Sequence, residues 1–197
     1  MTGLLLLGTG GIIAISVVCA LVALLLIFLL VYMGMYNKLQ RLKNLTEEGW
    51  ATIDVQLKKR YDLIPNLVET VKGYAKHESE TLEKVIAARN AAMTATGNEK
   101  MAAENVLTGT LKSLFALQEA YPQLKANTNF TDLQSQLSRI ETELASARRY
   151  YNATVKELNT KIDVFPSNLV ARKMRLEKRV YFELDSAEER VAPSVKF

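Results

Sequence analysis

Apolar residues fill the first part of the chain almost without interruption, and this run predicts a helix that crosses a membrane. From Ile12 to Met33 only Ser16 is clearly polar, and the first 37 residues contain no Lys, Arg, Asp, Glu or His. A helix of 22 residues rises about 33 Å, slightly more than the roughly 30 Å hydrocarbon core of a bilayer. We therefore expect residues 12–36 to form a transmembrane helix after a short tail of residues 1–11.

A cleaved signal peptide is the main alternative to this anchor. Such a peptide has a positively charged start, an apolar run of about 7 to 15 residues and a cleavage site with small residues. None of these three features is clear in the sequence. We expect the segment to be retained as an anchor.

The charges that flank the apolar run predict its orientation. No Lys or Arg precedes the run, whereas Lys38, Arg41 and Lys43 follow it, and Tyr32 and Tyr36 stand at the level of the membrane interface. By the positive-inside rule the soluble part faces the cytoplasm and the N-terminus lies outside. The bias amounts to a few charges, so an extracytoplasmic soluble part stays open as an alternative.

After the anchor, apolar residues recur in steps of three and four, a pattern typical of amphipathic helices. The pattern predicts, in chain order, Lys38–Ala75, a second helix that carries Leu82, Val85 and Ile86 and ends near Thr94 to Asn98, a third over about Glu99–Tyr121, and a fourth over Asn129–Phe165. Pro65 predicts a kink in the first helix, whose end we expect between Gly73 and His77.

The outer two of these helices match in length. They have 38 and 37 residues, so each is about 55 to 57 Å long. Because short loops favour antiparallel neighbours, we expect an all-α protein in which the anchor continues into an up-down-up-down four-helix bundle, residues 37–166. Phe165 would then return to the membrane end, followed by a C-terminal tail of residues 167–197.

This tail begins with a basic, partly amphipathic segment. Near an anionic bilayer each cation contributes to binding, so we predict membrane-surface contacts at Lys38, Arg41, Arg172, Lys173, Arg175, Lys178 and Arg179. An acidic run follows, with Glu183, Asp185, Glu188 and Glu189. In the alternative interpretation, the basic and acidic halves pair with each other or with a neighbouring chain.

Composition argues against several classes of chemistry. The net charge of +4 is small and interspersed, which does not favour nucleic-acid binding. The single Cys19 lies in the apolar run, and the single His77 stands at a predicted helix end, so neither indicates a disulfide or a metal site. No phosphate-binding loop or nucleophile with a histidine partner is apparent. The acidic pairs at residues 47–48 and 141–143 look like solvated faces, and we expect no enzyme, cofactor or metal.

Two polar patches stand out on the first and fourth predicted helices. We predict a structural network or subunit contacts at Trp50, Arg60, Tyr61, Asp62, Asn66, Arg148, Arg149, Tyr150, Tyr151 and Asn152. In an antiparallel pairing the two patches would reach comparable height, so that Asp62 and Arg149 would couple. A network that fixes helix register is favoured over a binding site.

The sequence resembles the LemA family of bacterial membrane-anchored proteins. The resemblance is carried by YNKL from Tyr36, EEGWATIDVQLKKRYDLIPNLVETVKGYAKHE from Glu47, EAYPQLKAN from Glu119, ARRYYNATVKELNTKIDVFPSNLVA from Ala147 and the closing PSVKF. It implies a soluble four-helix bundle after one anchor in the bacterial inner membrane, with no catalytic residues and a role in the cell envelope.

A single anchor, a long bundle and a basic tail at the membrane end suit assembly on a bilayer. We therefore predict a homo-oligomeric membrane scaffold whose partner is the lipid bilayer. The alternative is an adaptor that recruits or regulates another envelope protein, such as a membrane protease. No nucleic-acid partner is expected.

Overall fold

The computed structural model describes residues 9–182, and all regular secondary structure within this range is helical. The helices are α1 (Thr9–Lys72), α2 (Ser79–Thr94), α3 (Gly97–Ala120), α4 (Pro122–Lys125), α5 (Thr128–Asp163) and α6 (Ser167–Lys173). The predicted all-α class is confirmed, because α1 carries the apolar segment and continues as the first long helix, and α2, α3 and α5 match the three other predicted helices. The tail residues 1–8, the acidic run and the closing PSVKF lie outside the described residues.

The predicted turns fall where the sequence places turn chemistry. Helix α1 ends at Lys72, directly before the expected turn of residues 73–77, and it continues past Pro65. Pro122 stands at the first position of the one-turn helix α4, where its missing N–H costs nothing. The Asn127 side chain caps α5 by accepting a hydrogen bond of 2.9 Å from the Phe130 N–H.

The described chain divides into two compact units, of which the larger comprises residues 45–156 and 180–182. Its core is built from the inward stripes of α1, α2, α3 and α5, including the fully buried Ile64, Leu107 and Phe130. Helices α1 and α5 are antiparallel: Trp50 packs against Tyr151, and Tyr74 accepts a hydrogen bond from Asn127. The apolar faces that the sequence predicted for these helices therefore pack against one another.

The smaller unit comprises residues 9–44 and 157–179. Its core consists of Leu39 and Leu42 of α1, Leu158 of α5, and Val170 and Ala171 of α6. The sequence after Asp163 thus turns back, forms the short helix α6 and packs against α1 just beyond the apolar segment.

The apolar segment up to Val31 packs against no other described part of the chain. Every large apolar side chain from Ile12 to Val31 is exposed. Within residues 9–182, α1 is the one helix long and apolar enough to cross a membrane, judged by length and composition. Because an apolar surface of this extent is unfavourable in water, the segment is a candidate membrane anchor.

Candidate functional site

A buried ion pair lies at the centre of the larger unit. The Arg60 and Glu104 side chains are both completely buried, and Arg60 Nη1 lies 3.1 Å from Glu104 Oε2. Arg60 Nε lies 2.9 Å from Glu141 Oε1, and Arg60 Nη2 donates a hydrogen bond of 2.8 Å to Thr108 Oγ1. A buried guanidinium is tolerated only when its charge is compensated, and here two carboxylates lie beside it. Nη1 and Nη2 donate hydrogen bonds, whereas Nε makes an ion-pair contact without hydrogen-bond geometry. The cluster therefore ties α1 to both α3 and α5.

Tyr61, the neighbour of Arg60, completes the cluster. Its hydroxyl donates a hydrogen bond to Glu104 Oε1, and its backbone carbonyl accepts one of 2.8 Å from Arg89 Nε on α2. Lys100 Nζ lies 5.4 Å from the centre of the Tyr61 ring. Burial raises the pKa of the Tyr61 phenol, and the hydrogen bond to Glu104 and its charge raise it further. The phenol thus acts as a donor that keeps its proton.

The burial of the Glu104 carboxyl makes the stability of the fold depend on pH. Burial raises the pKa of its carboxyl above the ordinary value of 4.5, against the lowering by the Tyr61 hydrogen bond and by Arg60 and Lys100. At pH values between the pKa of Glu104 in the unfolded chain and its higher pKa in the folded chain, the folded state binds more protons than the unfolded state. The free energy of unfolding therefore falls as the pH rises through this window. The ion pair contributes more to fixing the relative positions of α1, α3 and α5 than to the free energy of unfolding.

Glu104→Gln is therefore expected to flatten the pH dependence of stability. The carboxamide cannot ionise, so the loss that begins near pH 4.5 in the parent chain should disappear. Urea denaturation at a series of pH values between 4 and 8, about the range in which a perturbed carboxyl titrates, measures the slope. Glu99→Gln, which changes an exposed carboxylate of the same helix, is the control. Equal slopes for parent and Glu104→Gln would contradict this account.

An aromatic cluster forms a second constellation in the larger unit. The Trp50 ring lies 5.4 Å from the Tyr151 ring and 5.9 Å from the Phe182 ring, measured between centroids. The Arg148 guanidinium stacks on Phe182 at 4.5 Å from the ring centre. Aromatic pairs and cation–π contacts of this kind add to the burial of apolar area. They hold the extended residues 180–182 against α1 and α5.

Asparagine side chains of α5 pair with this extended backbone. Asn152 Nδ2 donates to the Phe182 carbonyl at 3.0 Å, while Asn152 Oδ1 accepts from the Phe182 N–H at 2.8 Å. The Tyr151 hydroxyl also donates to the Val180 carbonyl at 3.0 Å. A carboxamide has one donor and one acceptor side, which match the N–H and C=O of one residue. In the smaller unit Asn159 pairs with Arg179 in the same way.

The predicted polar patches are present, but their pairing was wrong. Lys59 lies opposite Glu143, whereas Tyr150 and Tyr151 lie against Gly49, so the patch around Asp62 and the patch around Arg149 occupy different heights of the bundle. Asp62 instead pairs with Lys58 at 2.9 Å, and Arg149 donates to Ser146 at 3.1 Å. The expected Asp62–Arg149 contact is absent because helix register depends on side-chain packing, which matched lengths do not specify.

The other predicted residues of these patches divide between core and surface. Arg60, Tyr61, Arg148 and Tyr151 are buried, Trp50 and Asn152 are half-buried, and Asn66 and Tyr150 are exposed. The sequence analysis missed Glu104 and took residues 141–143 to be fully solvated. The signal was available: Glu104 falls on the apolar stripe of α3, three residues after Met101 and three before Leu107. A charge within such a stripe indicates a buried partner.

The predicted membrane-surface cations belong to the smaller unit. Lys38 Nζ lies 3.2 Å from Glu157, Lys178 Nζ lies 2.8 Å from Asp163, and Lys173 Nζ lies 5.7 Å from the centre of the Tyr32 ring. Arg41, Arg172, Arg175 and Arg179 are exposed. The structure brings these side chains to one unit with the residues that directly follow the apolar segment.

The chemical capacity of these constellations is limited. No group of three or more His, Cys, Asp or Glu side chains placed to hold a metal ion occurs within residues 9–182. Arg60 and Glu104 face each other in the core, and both side chains are completely buried. This geometry is that of a network that sets the positions of helices.

Comparison with known proteins agrees with this architecture. The sequence model of the LemA family matches residues 49–197. Protein LemA of Metamycoplasma hominis is 29% identical over 167 residues, which cover 82% of this chain and 75% of that protein. The matched region includes the buried ion pair, the aromatic cluster and the basic segment around α6. The chain therefore belongs to the LemA family.

Proposed function

We propose that this protein is a non-enzymatic, membrane-anchored scaffold that assembles with further copies of itself on a membrane. The observation that carries the proposal is the core of the smaller unit. Leu39 follows the last apolar residue of the segment, Met33, by six residues, or about 9 Å of helix. It is already buried against Leu158, Val170 and Ala171. The anchor thus enters folded structure directly.

This connection differs from that of a tethered domain. A flexible linker rich in Gly, Ser or Pro lets an attached domain tumble. Here α1 continues without interruption from the apolar segment to Leu39 and Leu42, and α6 packs against these residues within the smaller unit. A stiff connection supports a scaffold, because copies that share one orientation at the bilayer can repeat the same contact.

The mass of the full-length protein in lipid nanodiscs tests the self-assembly. We expect defined multiples of the chain at low protein-to-lipid ratio. A matched sample in mild detergent controls for contacts that depend on the bilayer. A strict monomer in both media would contradict the scaffold and favour an adaptor for another envelope protein.

The adaptor is supported by an open groove in the larger unit. The groove has a volume of about 410 Å³ and is bordered by Lys59 and Asp62 of α1 and by Arg139 and Glu143 of α5. Its mixed charges and its apolar floor at Leu63 and Ile140 are typical of a weak protein contact. If the protein is monomeric, crosslinking from a photoreactive residue at position 139 should capture a partner, and the charge reversal Glu143→Lys should reduce the yield.

We further propose that the anchor lies in a bacterial inner membrane with the bundle on the cytoplasmic side. Lys and Arg follow the apolar segment at positions 38, 41 and 43, and none occurs in the first 37 residues. Reporter fusions at the C-terminus test the orientation. A cytoplasmic reporter should be active, and activity of a periplasmic reporter would place the bundle outside.

A further inference from the structure

The turn between α5 and α6 exposes an apolar surface. Phe165 is 77% exposed, the highest value among the large apolar side chains described, and its neighbours Val164 and Leu169 are exposed at 41% and 57%. A phenyl ring exposed to water at this turn buries little apolar area and therefore does not stabilise the fold. Such a ring usually marks a contact with another molecule or with a membrane.

This turn lies next to the part of α1 that follows the apolar segment. Val164, Phe165 and Ser167 line a hollow of about 280 Å³ together with Met35 and Leu39. Met35 and Leu39 are two and six residues beyond Met33, or about 3 and 9 Å along the helix. If the segment up to Met33 fills the hydrocarbon core, Phe165 stands where acyl chains meet headgroups, a depth at which the Phe and Leu side chains of interfacial segments are buried.

Cations surround the same hollow. Lys161 lines it, and so does Lys38, whose ammonium also pairs with the half-exposed Glu157 at 3.2 Å. Residues 34–44 and 157–179 together contain nine Lys or Arg and only three Asp or Glu, although the whole chain has a net charge of +4. The positive charge of the protein is therefore concentrated in the unit that carries the anchor. This pattern matches an anionic bilayer surface.

The backbone at Arg175 supplies an independent observation. Arg175 has a φ of +54° and follows the last turn of α6, where the Leu176 N–H donates to the Ala171 carbonyl at 3.1 Å. Glycine usually occupies this left-handed position, because a Cβ there is unfavourable. Met174 and Leu176 on either side pack against the core of the smaller unit, as Tyr32 and Met35 also do. Arg175 is exposed, so this unit keeps a solvent-facing cation at a position that glycine usually occupies.

We propose that Val164, Phe165, Lys38, Lys161 and Arg175 form an interfacial surface that binds anionic phospholipid in the bilayer that holds α1. Val164 and Phe165 insert among the upper acyl carbons, and the three cations face the lipid phosphates. The inference rests on the membrane anchoring within the proposed function. A second copy of the chain is the weaker candidate, because a twofold contact would bring two strongly positive surfaces together.

Tryptophan quenching in proteoliposomes tests the depth of this surface. Phe165→Trp in the full-length chain should lose fluorescence to phosphatidylcholine brominated near the headgroup end of the acyl chain. Leu25→Trp, in the middle of the apolar segment, should be quenched by lipid brominated deep in the chain. Val106→Trp, at an exposed site of α3, should not respond, and the parent chain with Trp50 gives the background.

The outcomes separate the inference from the anchoring on which it rests. If Leu25→Trp is quenched and Phe165→Trp is not, the anchor stands and the interfacial surface is wrong. If neither is quenched, the anchoring fails as well. If Phe165→Trp shows blue-shifted emission without quenching by lipid, its ring is covered by protein, and a contact between copies replaces the proposal.

Spin-labelled lipids test the preference for anionic headgroups. With the full-length chain in bilayers, the fraction of motionally restricted phosphatidylglycerol should exceed that of phosphatidylcholine. Lys161→Gln should lower the relative association of phosphatidylglycerol by about fivefold, the effect of one cation near an anionic surface. Lys112→Gln, on α3 of the larger unit, should change nothing. Equal effects of the two variants would overturn the proposal.

Two substitutions at Arg175 separate the effect of its side-chain charge from the effect of its left-handed backbone. Arg175→Gly should raise the Tm by roughly 2–4 °C, because it relieves the left-handed backbone, and should reduce the phosphatidylglycerol preference. Arg175→Lys keeps the charge and the strain, so both properties should stay near those of the parent. If Arg175→Gly is more stable and retains the full lipid preference, Arg175 has no part in binding.

Discussion

Replacing Arg60 with Met is expected to lower the free energy of unfolding by about 3–5 kcal/mol. Met fills a similar volume but leaves the Glu104 carboxylate in the core without its cation, and the Nη2 bond to Thr108 is lost. Urea denaturation of the full-length chain in mild detergent, followed by Trp50 fluorescence, gives the difference. Lys59→Met removes the adjacent cation, which is 54% exposed and lies 3.9 Å from Glu143. That control should cost less than about 1 kcal/mol.

A second substitution shows whether the loss comes from the unpaired carboxylate. Glu104→Leu added to Arg60→Met should restore part of the stability, because the buried charge is then gone. The double variant should therefore be more stable than Arg60→Met alone. If the effects of the two substitutions simply add, Arg60 and Glu104 do not act as a pair.

Truncation of Phe182 to Ala is expected to cost about 3–5 kcal/mol, the usual range for a buried Phe. The ring is 2% exposed and is enclosed by Trp50, Tyr151 and the Arg148 guanidinium. Denaturation as above gives the cost, and hydrogen exchange should show loss of protection at residues 180–182. Val180→Ala, at a side chain that is 54% exposed, should stay within about 0.5 kcal/mol of the parent. A Phe182→Ala variant as stable as this control would show that the C-terminal segment is not part of the core.

The fold was largely predictable because its determinants are local. The steps of three and four between apolar residues placed every long helix, and Gly73 marked the turn at residues 73–77. The end of the fourth helix near Phe165 also follows from a local signal, since Pro166 cannot continue a helix. The structure adds α4 and α6, which are too short to show a period.

The candidate site was less predictable because its contacts are not local. Arg60 meets Glu104 and Glu141 across sequence separations of 44 and 81 residues. Which turn of α1 lies opposite which turn of α5 depends on how ridges and grooves interlock. The helix lengths suggested a register that paired Asp62 with Arg149, and this was wrong. Charges inside an apolar stripe, such as Arg60 and Glu104, were the better indicator.

The periodicity of apolar residues also could not predict how residues 179–182 pack. Residues 179–182 belong to neither a helix nor a strand, and the backbone groups of Arg179 and Phe182 pair with the Asn159 and Asn152 side chains. An Asn on a helix does not signal such a partner by itself, because most exposed Asn side chains bind water. The Asn side chains and the backbone groups that they bind come together only in the folded chain, so the sequence pattern does not reveal these pairs.

The labelling of Cys19 tests the central claim, that α1 crosses a bilayer and enters folded structure at its surface. Cys19 is the single cysteine of the chain and lies within the apolar segment, exposed on α1. In sealed proteoliposomes a membrane-impermeant maleimide should fail to label it, whereas Asn37→Cys in a Cys19→Ser background should react. Labelling of Cys19 in intact vesicles at the rate of the residue-37 cysteine would contradict a membrane-spanning α1.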